Sequence, residues 1–502
     1  MRSPLPALLP AAVSAALACS AAPAADWMQF GYDAAHTGVN PSETLVSSSN
    51  VASLVRKYSV NMAATIDSAP VYLSNVTTSS GTKNLLFALA NNGRLMVIDA
   101  ATGTEVWHKT QSGTQPTTAS PAIDPNRQFV YSYGIDGFAH KYQVGDGTEI
   151  TTGGWPELIT VKTGVEKGAG GLTIGNAGGV NWLYVVTDGY IGDGGDYQGH
   201  ITTINLSTGA QAVFNTLCSS DTSHLGNGDC ATHQSGIWGR GGATFDSGTG
   251  RVYITTGNGH YNANTGTGRN WGDSTLALSH DGTGSGNGLP VDSYTPTNFT
   301  QLDNQDIDLG SISLVIMKPP TGSSVAHLGM QTGKDFQLRL INLDNMSGAG
   351  GPAHVGGELQ LLAVSQGGLG MREQPATWVD GSGTSWLFVA NGSGLSGYTL
   401  GLNGSNVPQL TPVWQNGDST TSPIVANGVL YSFSDCSGGT CVVGRNPATG
   451  AVLWSSEHVA HPHWQSPIIV DGVIYAMDNA GKLWAFGLDQ LPDEIFRNGF
   501  DG

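Results

Sequence analysis

Two short segments of the chain carry oxygen donors suited to binding a cation. One is Thr-Gly-Asn-Gly at residues 256–259, which follows a strand-like run, and the other is Asp-Ile-Asp-Leu-Gly at residues 306–310. Amide and carboxylate oxygens are donors that hard cations such as Ca²⁺ prefer, and a role of this kind for Asn258, Asp306 and Asp308 is implied only by the family resemblance described below. Two structural alternatives stand beside this interpretation. Asn-Gly pairs often close hairpins, and acidic loops are common on protein surfaces.

The elements that must position these residues follow from a repeated pattern. An apolar strand runs into Asp or Asn, and Gly follows four residues later, at 97–103, 203–209 and 444–450. Such an Asp or Asn caps its own turn, and the Gly is free to take a positive φ, so each copy predicts a tight hairpin. Trp107 and Trp454 follow two of these turns, where a large ring can lock neighbouring units together.

A second recurrent element gives the number of units. Small-residue segments, each followed by a β-rich strand, occur at 68–70, 120–122, 170–172, 241–243, 310–312, 374–376, 422–424 and 466–468. The sequence therefore predicts an all-β fold, an eight-bladed β-propeller of four-stranded antiparallel blades around a central channel.

Composition and charge narrow the class of protein. The chain has 72 Gly among 502 residues and only 12% charged residues, which suits many turns around a buried β core. Its formal charge of −18 disfavours nucleic acid and anionic membrane surfaces as partners. We expect one propeller domain over residues 25–490 and a C-terminal tail over 491–502.

The N-terminus and the cysteines both indicate export. Arg2 precedes an Ala/Leu-rich run, and Ala-Pro-Ala at 22–24 fits signal-peptidase cleavage, which predicts a signal peptide over 1–24. Lipidation at Cys19 is the lesser alternative. Four further cysteines form two close pairs, Cys218 with Cys230 and Cys436 with Cys441; three connectivities are possible, and local pairing is the natural one in an oxidising compartment. We expect a periplasmic or extracellular protein without a transmembrane segment, and the absence of Cys-x-x-Cys-His argues against an attached haem c.

The repeats at 99–107 and 446–454 resemble those of the pyrrolo-quinoline quinone (PQQ) type propellers, the family of quinoprotein alcohol and sugar dehydrogenases and their non-catalytic relatives. The segments 27–31 and 35–38 are similar to the N-terminal segment of many members. The resemblance covers roughly residues 27 to 488 and implies the propeller fold.

The resemblance also implies roles for particular residues. In the dehydrogenases a Ca²⁺ or lanthanide ion lies beside the quinone. By resemblance Asn258 is a metal ligand, Asp308 is a ligand and the catalytic base, and Asp306 corresponds to the extra carboxylate of the lanthanide-using enzymes. Asp193 is a candidate for the acidic first ligand, and Asp196 is the other.

The resemblance further suggests which residues contact the quinone. Trp238 resembles the Trp on which the quinone ring stacks, and Lys334 resembles the residue that reaches a quinone oxygen. Arg240 occupies the alternative register to Trp238. In a propeller the loops that lead into inner strands and those that follow second strands share one face, so these residues are expected to gather at one mouth of the channel.

Two functions follow from these observations. The first is an exported dehydrogenase that oxidises an alcohol or sugar hydroxyl with PQQ and a divalent cation and passes electrons to a separate acceptor. The second is a non-catalytic scaffold that binds a protein or glycan partner in the cell envelope. The first is favoured by the matching residues in the right order. The second is favoured by departures from the family pattern: Trp238 stands two residues early, and the family's Glu and adjacent-cysteine pair are missing.

Overall fold

A computed structural model describes residues 26–113, 116–190, 193–368 and 371–489. The expected signal peptide at 1–24 and tail at 491–502 lie outside this part of the chain. The strands form eight sheets, each with four antiparallel strands in chain order, apart from one extra parallel strand in one sheet and an N-terminal strand that completes another. The eight-bladed propeller is confirmed. Each inner strand begins at or a few residues from one of the small-residue segments named above.

The strands are numbered in chain order and the blades in the order of their inner strands. Two strands precede blade 1: β1 (Val39–Asn40) and β2 (Leu54–Asn61). Blade 1 consists of β3 (Val71–Thr78), β4 (Gly81–Leu89), β5 (Arg94–Asp99) and β6 (Glu105–Thr110), and blade 2 of β7 (Ala122–Ile123), β8 (Phe129–Tyr133), β9 (Phe138–Gln143) and β10 (Glu157–Leu158). Blade 3 consists of β11 (Glu166–Ala177), β12 (Val180–Gly189), β13 (His200–Asn205) and β14 (Gln211–Asn215), and blade 4 of β15 (Thr244–Asp246), β16 (Arg251–Thr255), β17 (Thr275–Ser279) and β18 (Asp292–Tyr294).

Blade 5 consists of β19 (Val315–Met317), β20 (Leu328–Gln331), β21 (Gln337–Asn342) and β22 (Gln360–Ala363), and blade 6 of β23 (Ala376–Val379), β24 (Ser385–Asn391), β25 (Gly394–Leu402) and β26 (Pro408–Gln415). Blade 7 consists of β27 (Ile424–Ala426), β28 (Val429–Cys436), β29 (Gly439–Arg445) and β30 (Val452–Ser455), and blade 8 contains β31 (Ile468–Val470), β32 (Val473–Met477) and β33 (Lys482–Leu488). The described helices are α1 (Phe299–Gln305) and the 3₁₀ turns Val51–Ser53, Ala263–Thr265 and Leu309–Ser311.

The ring is closed by the N-terminal part of the chain. Strand β2 pairs antiparallel with β33 and supplies the outermost strand of blade 8, so the first and last parts of the chain share one blade. Strand β1 lies parallel to β27 on blade 7. This pairing fastens the first and last parts of the described chain together within one blade.

The repeated turns have the predicted geometry. At the first, the Asp99 carboxylate accepts a hydrogen bond from the backbone N–H of Ala101 at 3.0 Å, and Gly103 takes a φ of 73°. Trp107 donates from Nε1 to the carbonyl of Val144 in the next blade, and Trp454 donates to the carbonyl of Leu54, both at 3.0 Å. These rings therefore join neighbouring blades, as the sequence predicted.

Residues 27–40 cross the channel at one end. Their backbone and side chains bond to inner strands of seven blades, from the Trp27 pairing with Tyr72 in blade 1 to the Asn40 amide on the carbonyl of Ile469 in blade 8. The cavity left beside this segment measures only about 10 Å³. The channel is therefore filled at this end, and the opposite end is the mouth.

Both cysteine pairs are disulfides with the local pairing, Cys218–Cys230 and Cys436–Cys441. Within the described ranges, no helix is both long and apolar enough to cross a membrane.

Candidate functional site

Asp308 lies at the mouth, just before the inner strand of blade 5. Helix α1 ends at Gln305 and is capped by Asp306 in the left-handed conformation, and the turn Leu309–Ser311 begins directly after Asp308. Asp308 is 2% exposed, and its Oδ1 accepts the backbone N–H of Asn258 at 2.7 Å. Burial raises the pKa of Asp308, and the neighbouring Lys334 opposes that rise. The carboxylate is thus held between blades 4 and 5 rather than in a solvated loop.

Asn258 follows the second strand of blade 4. The connection from β16 to β17 spans residues 256–274, so Asn258 and Gly259 do not close a two-residue hairpin, and that alternative is wrong. The Asn258 carbonyl accepts the N–H of Ser235 at 2.7 Å, which fixes the backbone from both sides. A Cβ on Gly257 would lie 3.1 Å from Trp238 Nε1 and 3.4 Å from Asp308 Oδ1. Because Gly257 has no side chain, Trp238 and Asp308 can both lie close to its backbone.

Lys334 follows the second strand of blade 5 and pairs with both acidic residues predicted nearby. Its Nζ lies 2.5 Å from Asp308 Oδ2 and 2.9 Å from Asp306 Oδ1. It also lies 5.1 Å from the centre of the Trp238 ring, within cation–π range. Burial lowers the pKa of Lys334, but Asp308 and Asp306 outweigh burial and raise it above its ordinary value. Lys334 is therefore charged at neutral pH.

Trp238 and Trp464 form an aromatic pair across the mouth, with ring centres 6.4 Å apart. Arg240 lies against this pair, with its guanidinium 5.0 Å from the centre of the Trp464 ring. Its Nη2 donates to the carbonyls of Asp67 and Trp464 at 2.7 and 2.9 Å. Burial lowers the pKa of Arg240, while Asp67 and Glu373 oppose the shift. Arg240 thus links blade 4 to blades 8 and 1, apart from the cluster around Asp308.

A further acidic residue near this cluster is Asp188, which was not predicted from the sequence; its Oδ1 lies against Gly236, whose carbonyl accepts the N–H of Gly257 at 2.8 Å. Asp188 lies at the end of β12, directly opposite Lys167 in the ladder with β11. Burial raises the pKa of Asp188 to about 7; Lys167 opposes the rise, and the charges of Asp193 and Asp308 add to it. Asp188, like Asn258, lies at the end of the second strand of its blade, and this shared position is the sequence signal that could have identified it.

The two candidates for the acidic ligand have other partners. Asp193 accepts a hydrogen bond from the Tyr197 hydroxyl at 2.6 Å and acts on Asp188 only through its charge. Asp196 accepts bonds from the backbone of Gly228 and the amide of Gln198. It is therefore turned toward the insertion that precedes blade 4.

Asp273 is a second buried carboxyl that the sequence analysis did not assign. Its N–H donates to the carbonyl of Gly257 at 2.9 Å, and its Oδ1 accepts the N–H of Leu309 at 3.0 Å. Its Oδ2 has no hydrogen-bond partner among the described residues. Burial raises the pKa of Asp273 well above its ordinary value, and Asp308 adds to the shift. Asp273 connects the segments that carry Asn258 and Asp308.

The geometry brings Trp238, Asn258, Asp306, Asp308 and Lys334 together. Their roles as ligands, base and quinone contacts stay predictions. The chemical character of the cluster is specific: carboxylate groups and an asparagine lie beside a half-buried indole ring and one ammonium group. Such a set can hold a hard cation and accept a proton from a ligand.

No protein-family model and no curated protein matches the sequence. Solved structures match through their fold. A quinohemoprotein alcohol dehydrogenase from Pseudomonas putida HK5 aligns with a TM-score of 0.65 at 13% identity, over 93% of this chain and 81% of that chain. A europium-containing methanol dehydrogenase aligns with a TM-score of 0.62 at 12% identity, over 92% and 98%. BamB from Moraxella catarrhalis aligns with a TM-score of 0.51 at 10% identity, over 86% and 99%. At these identities the likeness shows the fold, and it assigns no activity.

Proposed function

We propose that this protein is an exported dehydrogenase that oxidises an alcohol or sugar hydroxyl, using PQQ and Ca²⁺ or a lanthanide ion. A separate acceptor takes the electrons. The observation that carries the proposal is the close approach of Asn258, Asp308 and Lys334 at the mouth, beside Trp238, with Asp188 against the adjoining Gly236. The two disulfides are of the kind that persists outside the cytosol, which supports export.

The donor set fits a hard cation. It contains two carboxyl groups and one side-chain amide, and oxygen donors are what Ca²⁺ and similar ions bind. Burial raises the pKa of Asp188, and the negative charges of Asp193 and Asp308 add to that rise. A bound cation would favour the ionised form of both carboxyl groups.

The neighbouring residues fit a flat quinone. Trp238 offers an aromatic face on which a ring can stack, and Lys334 offers an ammonium donor next to it. When bound, PQQ would supply the hydride acceptor. Asp308 would accept the hydroxyl proton of the substrate, and Asn258 would hold that carboxylate in place through its backbone N–H. Lys334 would keep Asp308 ionised by its proximity.

Equilibrium binding of PQQ to the purified mature protein tests the proposal. Tryptophan quenching and calorimetry would be carried out with excess Ca²⁺, with a lanthanide ion and with chelator. We expect tight binding that requires the cation. As a matched control, Asp344→Asn changes a partly exposed carboxylate paired with His327 and should leave binding unchanged.

Absence of PQQ binding with every cation would overturn the proposal. The remaining function would then be the scaffold, and partner capture would be the next experiment. Cation binding without PQQ binding would keep the metal site and remove the quinone from the proposed function.

A further inference from the structure

The hairpin between β28 and β29 in blade 7 brings three soft or borderline metal ligands together. The sulfur atoms of Cys436 and Cys441 and an imidazole nitrogen of His458 lie within 4.8 Å of one another. The His458 ring covers the turn, so closely that a Cβ on Gly439 would lie 3.3 Å from Nδ1. Thiolate and imidazole are the ligands typical of zinc sites.

His458 is oriented as metal-binding histidines usually are. Its Nε2 lies 3.0 Å from the backbone carbonyl of Ser437, and this nitrogen must carry the proton because a carbonyl only accepts. Nδ1 therefore keeps its lone pair, and it lies close to Gly439 in the turn between the two cysteines. A hydrogen bond from one ring nitrogen to a backbone carbonyl is the usual support for a histidine that binds metal through the other.

The hairpin does not depend on its disulfide. The β28–β29 ladder runs without interruption from the Leu430 pairing with Arg445 to the Cys436 pairing with Gly439. The cross-link spans a sequence separation of only 5, against 12 for Cys218–Cys230. Because the stabilisation from a disulfide grows with the length of the loop it closes, the short one adds less to the fold. Reduction should leave Cys436, Cys441 and His458 in place.

We propose that reduction of the Cys436–Cys441 disulfide opens a Zn²⁺ site formed by these two cysteines and His458. A dithiol donates two electrons and two protons to the S–S bond, which gives two cysteine thiols and the oxidised, cyclic form of the reductant. Zn²⁺ then displaces both thiol protons and binds two thiolates and the neutral imidazole. Water fills the fourth tetrahedral position.

The site lies at the rim of the channel mouth. Thr440, the neighbour of Cys441, lines a cavity of about 450 Å³ there together with His461 and Trp464. The metal would therefore be bound next to the mouth, on blade 7, away from the oxygen donors of blades 3 to 5. This inference is independent of the proposed dehydrogenase function.

Cobalt titration of the full mature protein tests the inference. The protein is reduced with dithiothreitol, freed of reductant under anaerobic conditions and titrated with Co²⁺ as a spectroscopic substitute for Zn²⁺. We expect one Co²⁺ per chain with a thiolate-to-cobalt charge-transfer band and intense tetrahedral bands, which Zn²⁺ abolishes. The oxidised protein should show neither. Absence of the charge-transfer band after reduction would overturn the proposal.

Variants identify the ligands. Cys436→Ser should remove the band although the Cys218–Cys230 pair is still present, and His458→Ala should weaken Co²⁺ binding by about tenfold or more. His461→Ala is the matched control, since His461 is a nearby rim histidine bonded to Thr440, and it should leave the affinity within about twofold. If Cys436→Ser fails to fold, alkylation of the reduced wild-type protein replaces it. Zn²⁺ should protect Cys436 and Cys441, but not Cys218 and Cys230, from iodoacetamide, and equal labelling of all four would refute the site.

Discussion

The two ends of the central channel are built by the same inner strands but differ in how their polar groups are satisfied. At the filled end His36 is fully buried; its Nδ1 lies 2.9 Å from the carbonyl of Phe30, and its Nε2 lies 3.1 Å from the hydroxyl of Thr173. At the mouth, Asp188, Asp273 and Asp308 crowd like charges, and their pKa values are raised by burial.

This difference separates what holds the ring together from what can do chemistry. Paired buried groups stabilise a fold, whereas crowded carboxyls cost stability and are typical of sites that bind something. We therefore expect substitutions at the filled end to lower stability and substitutions at the mouth to affect binding.

The largest expected effect is at the filled end. His36→Ala removes two buried hydrogen bonds and leaves a cavity, so the free energy of unfolding should fall by about 2–4 kcal/mol. Denaturant unfolding monitored by fluorescence measures this. The control His327→Ala, at a partly exposed ion pair, should change stability by less than about 0.5 kcal/mol. Equal effects of the two substitutions would show that the N-terminal segment does not hold the ring.

The next effect concerns activity at the mouth. Asp308→Asn keeps the shape of the side chain but removes the proton acceptor, so dye reduction by the cation- and PQQ-loaded protein should fall about 100-fold or more. Saturating cation and PQQ separate this loss from weaker binding. Turnover within twofold of wild type would remove Asp308 from the role of base.

The pH dependence of cation binding provides a third test. Protons compete with the cation for Asp188, whose pKa is raised to about 7. The Ca²⁺ affinity should therefore increase by about tenfold per pH unit below 7 and level off above it. Calorimetry at several pH values would detect this, and Asp188→Asn should flatten the profile. A wild-type affinity independent of pH between 5 and 8 would argue against Asp188 as a ligand.

The smallest expected effect is an increase in stability, whereas His36→Ala is expected to lower stability. The folded state raises the pKa of Asp188 from 3.8 to about 7, so the native state binds this proton more tightly than the unfolded chain does. Stability without cation is therefore lost as pH rises through that window. Asp188→Asn should raise the melting temperature at pH 8 by an amount equivalent to about 1 kcal/mol. A lowered melting temperature would place Asp188 among the groups that stabilise the fold.

The sequence predicted the ring better than its closure. Local signals, such as the turn from Asp99 to Gly103 and the small residues before each inner strand, are repeated and so identify the blades. The path of residues 27–40 depends on contacts with strands hundreds of residues away, such as Asn40 with Ile469, and no local pattern encodes these.

The difference between local signals and long-range contacts also explains which residues of the mouth the sequence predicted. Asn258, Asp308 and Lys334 lie in recognisable segments at strand ends, so their convergence followed from the fold. Asp188 stands in Thr-Asp-Gly directly at the end of β12, several residues before the position that the family pattern favours, which pointed to Asp193 instead. Asp273 could not be assigned because its role depends on two backbone contacts made only in three dimensions.

The measurement that tests the central claim most directly is a Tb³⁺ titration of the mature protein with tryptophan excitation. A cation held by Asp188, Asn258 and Asp308 lies beside Trp238 and should give sensitised Tb³⁺ luminescence that saturates at one ion per chain. Asp188→Asn should weaken this binding, and Trp238→Phe should reduce the luminescence without changing the affinity. If no sensitised signal appears, or if Asp188→Asn and Trp238→Phe both leave it unchanged, the mouth is not a cation site.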